Sequence, residues 1–225
     1  SYKSALSCDP ISAFGGIVSC NFKITKNLAL ELNKLFLEVI IANGFESSAI
    51  KILKAKKNLR LIDGTNYTSE ELLKFVSFNQ NIMIQSEDLN LFSTKNFKIV
   101  SKRKPTSKQL KDLIFAFNVC RYVKSNAIVL ASNETTVGIG SGQPSRLDSC
   151  QIAINKMKKF NLQNDNLVAA SDAFFPFVDG IEKLVQSGVR AVVQPSGSIR
   201  DKEIINFANE TDTVLVFSKT RHFRH

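Results

Sequence analysis

Two segments of this chain combine residue types that suit recognition of a small, flat, charged ligand. Ser171–Asp179 places three phenylalanines and a proline between two aspartates, directly after the apolar run Leu167–Ala170. The last five residues, Arg221–His225, hold two arginines and both histidines of the chain. Phenylalanines can form the wall against which a planar ring packs, with a carboxylate at the ring's edge. Arginine binds phosphate or carboxylate through a planar fork of N–H donors.

A glycine-rich loop, Val137–Arg146, lies between a predicted strand and a predicted helix. A dinucleotide fingerprint would need glycine where Gln143 stands, and the G-K-[ST] of a Walker loop is absent, so both of these nucleotide sites are disfavoured. The loop still offers backbone N–H groups and a helix N-terminus to an anion. Arg146 can bind a carboxylate through two parallel hydrogen bonds. The alternative for the glycines alone is a plain tight turn.

Each other candidate has a structural alternative. Asn126 could cap the C-terminus of the preceding helix, or it could offer an amide to a carboxamide ligand. Phe174, Phe175 and Phe177 are core aromatics by default, and we expect this of at least one. The tail could simply be frayed, as chain ends often are.

Charge and cysteine usage limit the classes of partner. The formal net charge of +10 favours an anionic partner, such as a nucleotide phosphate, and keeps a nonenzymatic basic RNA-binding module as the alternative function. Nucleic acid is disfavoured because the lysine clusters at 54–57 and 102–104 are not interleaved with aromatics. The four scattered cysteines and the terminal position of both histidines predict a cytoplasmic protein without a transition metal. No apolar run approaches the roughly 20 residues of a membrane span.

Strand-like and helix-like segments alternate along almost the whole chain, which predicts a layered α/β/α fold with mixed, largely parallel sheets. A polar connector at 101–106 divides the chain into two halves near residue 106. The predicted strands are Gly16–Cys20, Glu38–Ala42, Leu59–Ile62, Asn81–Gln85, Ala127–Ala131, Thr136–Ile139, Leu167–Ala170, Ala191–Gln194 and Thr213–Phe217. The predicted helices are Asn27–Leu37, one from Ser47 to about Ala55, Ser69–Val76, a long helix from Ser107, Ser145–Phe160, Gly180–Gln186 and Asp201–Asn209.

Several of these motifs, in this order and spacing, resemble the aminoimidazole carboxamide ribonucleotide (AICAR) formyltransferase domain of the bifunctional purine biosynthesis proteins. They are S-x-F-G at Ser12–Gly15, K-S-N at Lys124–Asn126, G-I-G-x-G-Q-x-S-R at Gly138–Arg146, F-F-P-F-x-D at Phe174–Asp179 and R-x-F-x-H at Arg221–His225. The likeness runs from Asp9 to His225. Val178 departs from it, because many relatives carry arginine there.

The resemblance implies transfer of a formyl group from 10-formyltetrahydrofolate, the co-substrate, to the AICAR amine. It implies AICAR contacts by Gly15, Glu38, Asn126 and Arg221. It also implies folate contacts by Arg146, Phe174 and Asp179, and catalytic roles for Asn126 and His225. Cytidine-deaminase-like subdomains and a homodimer are implied as well. A zinc deaminase is set aside because the H-x-E and P-C-x-x-C signature is absent.

The resemblance also implies that residues are missing from this sequence. The principal catalytic Lys-His pair of the family precedes the matched region, and no Lys-His dipeptide occurs here. We therefore expect 1–106 to be the C-terminal part of a first transferase subdomain plus the connector, and 107–225 to be a second subdomain. The IMP cyclohydrolase domain is absent from the matched region, and the polypeptide alone is expected to be inactive.

Overall fold

The computed structural model describes residues 1–67, 73–89, 91–160, 162 and 166–225, which form two compact units. The smaller unit is 10–87, and the larger contains 1–9 and 88–225. In chain order, the elements are α1 (Tyr2–Ser7), β1 (Gly16–Cys20), α2 (Lys26–Leu32), β2 (Leu37–Ala42), α3 (Ser47–Leu53), β3 (Arg60–Asp63), β4 (Leu73–Phe78), β5 (Asn81–Ser86), a 3₁₀ turn (Thr94–Asn96), β6 (Phe97–Ile99), α4 (Ser107–Cys120), β7 (Ile128–Ser132), β8 (Thr135–Gly140), α5 (Arg146–Lys159), β9 (Leu167–Ser171), α6 (Val178–Gln186), β10 (Val189–Pro195), α7 (Asp201–Glu210) and β11 (Val214–Ser218).

The smaller unit contains a three-stranded parallel sheet in the order β1-β2-β3 and a separate antiparallel hairpin, β4–β5. Helix α2 begins after Thr25, whose side-chain oxygen accepts a hydrogen bond from the Leu28 backbone N–H at 3.4 Å. The predicted extension of this helix to Leu37 is wrong. It ends at Leu32, because the chain must turn before Leu37 can pair with Gly16 in the parallel sheet.

The helix predicted over Ser69–Val76 is wrong where it can be compared. Residues 69–72 lie outside the described residues, and Leu73–Val76 belong to strand β4. Strand β4 pairs along its whole length with β5, and Asn79, at the turn, has a φ of 51°. The aromatic and β-branched residues of β4 favour extended backbone when a partner strand is present, and the predicted strand at Asn81–Gln85 supplies that partner.

The larger unit is built on a six-stranded sheet in the order β6-β11-β10-β9-β7-β8. Strands β9, β10 and β11 are parallel, whereas β6, β7 and β8 each pair antiparallel with a neighbour. Alternate strand residues point to opposite faces, so α4 packs on one face around Phe117 and α5, α6 and α7 pack on the other around Met157 and Ile181. The predicted α/β fold with mixed sheets is confirmed.

The polar stretch before residue 107 contributes to this sheet. Phe97–Ile99 forms edge strand β6, which pairs with Val216–Ser218 of β11. The boundary expected near residue 106 therefore falls inside the larger unit, and the division into transferase subdomains stays a prediction. Helix α4 begins next, at a capping box in which Thr106 and Gln109 exchange hydrogen bonds.

Two glycines of the glycine-rich loop serve packing. A Cβ at Gly140 would lie 1.9 Å from the carbonyl oxygen of Ser149, and one at Gly138 would lie 2.2 Å from that of Ala153. Only glycine lets β8 approach the backbone of α5 this closely, and that approach brings the first turn of α5 to the edge of the sheet. Among the described residues, no helix combines the length and apolarity required to traverse a bilayer.

Candidate functional site

A cleft of about 400 Å³ opens at the edge of the large sheet where β9 ends. Its wall is formed by Asn126, two residues before β7, by the first turns of α5 and α6, by the segment after β9 and by the C-terminal tail. Five predicted site residues, from four separate stretches of sequence, contribute to this wall: Asn126, Arg146, Phe174, Asp179 and Arg221.

Arg146 is the most constrained of these five side chains. Its Nη1 donates to Ser171 Oγ at 3.0 Å and to Asp172 Oδ1, and its Nη2 donates to Asn126 Oδ1 at 2.7 Å. Only 9% of the Arg146 side chain is exposed, and that of Asp172 is fully buried. A guanidinium has five N–H donors, so two remain for a ligand, from Nε and Nη2. Arg146 therefore uses most of its hydrogen-bond donors within the protein, even without a bound ligand.

Asn126 is also held by hydrogen bonds on both ends of its amide. Its Nδ2 donates to the carbonyl oxygens of Gln143 and Pro144, both at 2.9 Å, while Oδ1 accepts from Arg146. Helix α4 ends at Cys120, so Asn126 does not cap it. A carbonyl oxygen has two lone pairs, and the second pair on Oδ1 is what this amide can still offer to a donor in the cleft.

The three phenylalanines after β9 separate into different environments. Phe175 is 1% exposed and packs in the core, which confirms the core role expected for at least one of them, and Phe177 is 50% exposed. Helix α6 passes directly over Phe175, since a Cβ at Gly180 would lie 2.6 Å from the ring. Phe174 is half-buried in the cleft wall, where its ring lies 5.3 Å from the guanidinium carbon of Arg221. Cation and ring attract each other in this arrangement.

Asp179 lies in the first turn of α6, where the helix dipole favours a negative charge. Its Oδ1 accepts a hydrogen bond from the Gly180 backbone N–H at 2.7 Å. This bond uses Oδ1 within the helix, and the exposed Asp179 contributes to the cleft wall. Val178, the departure from the family pattern, packs its half-buried side chain against the core on the face of the sheet that carries α5, α6 and α7.

The tail forms one side of the cleft instead of fraying. The His222 N–H donates to the Asp172 carbonyl at 3.0 Å, and the Ser125 N–H donates to the Arg224 carbonyl at 2.9 Å. Arg221 is exposed, and within the described ranges it has no salt bridge. Its Nη2 would lie 3.5 Å from a Cβ at Gly197, whose φ is +113°. The guanidinium is therefore free to bind an anion.

Three predicted residues lie outside the cleft wall. His225 is exposed and its ring stacks at 5.6 Å from that of Phe223, which is itself part of the wall. Gly15 and Glu38 belong to the smaller unit, where they are neighbours: a Cβ at Gly15 would lie 3.8 Å from Glu38 Oε1. The backbone N–H of Gly15 donates to the Phe36 carbonyl, and the Glu38 side chain is exposed on β2.

Asp172 is the residue that sequence reasoning missed. Its carboxylate pairs with Arg146 and accepts from Ser125 Oγ, its N–H donates to the Ala127 carbonyl, and its carbonyl accepts from His222. One buried residue thus joins the loop at 125–127, helix α5 and the tail. The available signal was an aspartate two positions beyond the apolar run Leu167–Ala170, because a carboxylate buried beside such a run requires a partner.

The buried thiols of the described residues are poorly suited to nucleophilic or metal-binding roles. All four cysteines are free, and burial raises the pKa of the Cys150 thiol to about 12 and that of Cys120 well above its usual range. Protonated thiols are poor nucleophiles and metal ligands. Among the residues the structure describes, no cluster of histidine, cysteine and carboxylate side chains could hold a metal ion.

Comparison with known proteins decides the family. The family described as AICARFT/IMPCHase bienzyme matches residues 1–156. The chain belongs to this bienzyme family. It is 44% identical to the bifunctional purine biosynthesis protein PurH of Persephonella marina, 47% to that of Buchnera aphidicola subsp. Schizaphis graminum and 44% to that of Aquifex aeolicus.

These alignments cover 98–100% of the chain but only 43–44% of each relative. The chain therefore spans less than half the length of the bienzyme relatives it matches. The alignments to the relatives extend past residue 156 and so include the aromatic segment and the tail. The expected resemblance is confirmed, and the chain is related to bifunctional enzymes of purine biosynthesis.

Proposed function

We propose that the cleft binds a reduced folate and the AICAR nucleotide, and that the protein takes part in formyl transfer between them. The observation that carries this proposal is the convergence of five residues, predicted from separate motifs, on one cleft. The implied nucleotide and folate are anions, which a chain with a net charge of +10 would attract. The cytoplasm, where thiols stay reduced, is the proposed location.

The folate half of the site is proposed at Phe174, Asp179 and Arg146. The Phe174 ring gives a pterin an apolar face, and Asp179 Oδ2 can accept hydrogen bonds from the pterin edge. Because three of the five Arg146 donors are used internally, Arg146 would contribute at most the two N–H groups that remain, on Nε and Nη2. Its fixed position suits transition-state recognition better than a flexible side chain would.

The nucleotide half of the site is proposed at Asn126 and Arg221. Asn126 Oδ1, oriented by Arg146, can accept a hydrogen bond from the AICAR amine, and the free Arg221 guanidinium can bind its phosphate. Gly15 and Glu38 stay proposed AICAR contacts, and a homodimer is proposed from the family resemblance. The proposed transferase reaction needs no transition metal.

The chemistry required is transfer to a weak nucleophile. The AICAR amine is delocalised toward the carboxamide, so the reaction depends on alignment with the formyl carbon, removal of a proton and stabilisation of the tetrahedral oxyanion. A hydrogen bond from the amine to Asn126 Oδ1 would fix its lone pair toward the formyl group. His225 is proposed to assist proton transfer from its position beside Phe223.

We expect Phe174→Ala to weaken tetrahydrofolate binding by about 5- to 10-fold, because an aromatic contact and the support of Arg221 are lost together. Isothermal titration calorimetry measures this. Phe160→Ala is the matched control, since Phe160 is a half-buried phenylalanine beside Lys159 and does not line the cleft. Equal losses in the two variants would contradict the folate assignment.

The resemblance places the principal Lys-His pair before the matched region. We therefore expect the 225-residue polypeptide alone to bind AICAR weakly and to transfer formyl groups at a negligible rate. General-base help and oxyanion stabilisation are each worth about 10²-fold or more, so their joint loss leaves little turnover. Formation of tetrahydrofolate from 10-formyltetrahydrofolate is the assay, and adding the preceding half of a PurH relative in trans should restore it. Robust turnover by the polypeptide alone would assign the base to residues present here.

A further inference from the structure

We propose that His222 is a positioning residue: its ring, buried between Asp88 and Phe117, fastens the tail so that Arg221 and Phe223 stay in the cleft wall. The anchoring itself follows from contacts within the larger unit. Its consequence for nucleotide affinity rests on the function proposed above.

The His222 side chain is buried, although the rest of the tail is exposed. His222 is 2% exposed, whereas all the other residues of the tail, Arg221–His225, are exposed. The ring packs in a tilted arrangement against Phe117 of α4 with centroids 4.4 Å apart, and Phe117 packs in the same way against Phe92 at 4.6 Å. The tail therefore inserts one aromatic side chain into the core on the α4 side of the sheet.

The polar edge of the ring defines how it is held. His222 Nδ1 makes a hydrogen bond with Asp88 Oδ2. A carboxylate only accepts, so Nδ1 must carry the proton of this bond. The other nitrogen, Nε2, is buried without a hydrogen-bond partner among the described residues. The ring is thus held by one polar contact and by aromatic packing, and Asp88 is the partner that orients it.

Backbone hydrogen bonds at His222 and Arg224 fix the position of Arg221. The His222 N–H is bonded to the Asp172 carbonyl, and the Arg224 N–H donates to Ser125 Oγ at 3.1 Å. Arg221 and Phe223 flank the anchored residue, and both reach the cleft. Releasing the ring would free a terminal segment whose remaining hold is a few hydrogen bonds, and Arg221 would lose its fixed place over Phe174.

The experiment varies Asp88 because that leaves the tail sequence intact. Asp88→Ala removes the partner of His222, Asp88→Asn keeps an oxygen acceptor, and Glu87→Ala removes the adjacent carboxylate as the matched control. The rate of tryptic cleavage after Arg221, followed by mass spectrometry, reports release of the tail. AICAR affinity by calorimetry reports its consequence.

We expect Asp88→Ala to accelerate that cleavage about tenfold or more, as for loss of a hydrogen bond to a charged group. Asp88→Asn should restore much of the protection, and Glu87→Ala should behave like the wild type. AICAR affinity should fall in Asp88→Ala, although Asp88 lies outside the cleft wall. The effect of the double variant Asp88→Ala/His222→Ala should be smaller than the sum of the two single effects, because both single variants remove the hydrogen bond between these side chains and only His222→Ala also removes the packing on Phe117.

Two results separate the anchor from the proposed function. The anchor would be overturned if Asp88→Ala showed the cleavage rate and the AICAR affinity of the wild type while Arg221→Ala bound AICAR weakly. Faster cleavage in Asp88→Ala with AICAR affinity unchanged in both variants would support the anchor and overturn the phosphate role of Arg221.

Discussion

Asp172→Ala is expected to lower the free energy of unfolding by about 3–5 kcal/mol, the usual cost of leaving one member of a buried ion pair without its partner. Arg146 would keep its charge in a site that is 9% exposed, with only neutral acceptors left at Ser171 and Asn126. The hydroxyl of Ser125 would lose its acceptor as well. Urea unfolding followed by circular dichroism measures the change.

Asp212→Ala is the matched control for this experiment. Asp212 also pairs with an arginine, Arg103, at 2.7 Å, but the two side chains are 78% and 37% exposed. Exposed pairs contribute about 0–1 kcal/mol because water and salt screen them. A loss in Asp172→Ala no larger than in Asp212→Ala would show that the Arg146 charge is relieved in some other way, and the rigid placement of Asn126 would then need another cause.

The contrast between these aspartates shows what the sequence could reveal. The apolar runs of β7, β9, β10 and β11 are buried on both faces, and continuous apolar runs bounded by turns predicted all four. Whether an aspartate beside such a run forms an ion pair depends on which side chain the fold brings next to it. For Asp172 that side chain is Arg146, 26 residues away in sequence. The local sequence does not indicate which distant residue will lie there. Asp172 could therefore be assigned to a motif, but its ion pair could not be predicted.

The mistaken helix at 73–76 and the unpredicted strand β6 have the same origin. Leu73–Val76 is as compatible with a helix as with a strand until the pairing partner β5 is known. Phe97–Ile99 is too short to predict as a strand, and it becomes one because the edge of β11 is available. In both cases a tertiary contact decided the local structure, whereas the capped helix α4 was predicted from its own residues.

Arg221→Ala is expected to weaken AICAR binding by about 2 kcal/mol, or about 30-fold, as a phosphate-bound guanidinium is removed. The structure presents Arg221 over Phe174 with no carboxylate partner among the described residues, so no internal salt bridge must break when phosphate binds. Titration calorimetry at low salt measures the loss. Arg221→Lys should recover only part of it, because an ammonium keeps the charge but not the fork of donors.

Arg224→Ala is the control that separates a direct phosphate contact by Arg221 from the general electrostatic attraction of the chain for an anion. Arg224 lies three residues further along the tail and is exposed, and its recorded hydrogen bonds use its backbone, which alanine would retain. Both variants lower the net charge by one, so any general attraction of the +10 chain for an anion falls equally in the two. A loss confined to Arg221→Ala therefore measures a directed phosphate contact. Equal losses would mean that the tail attracts the nucleotide only through its summed charge, and Arg221 would then leave the proposed site.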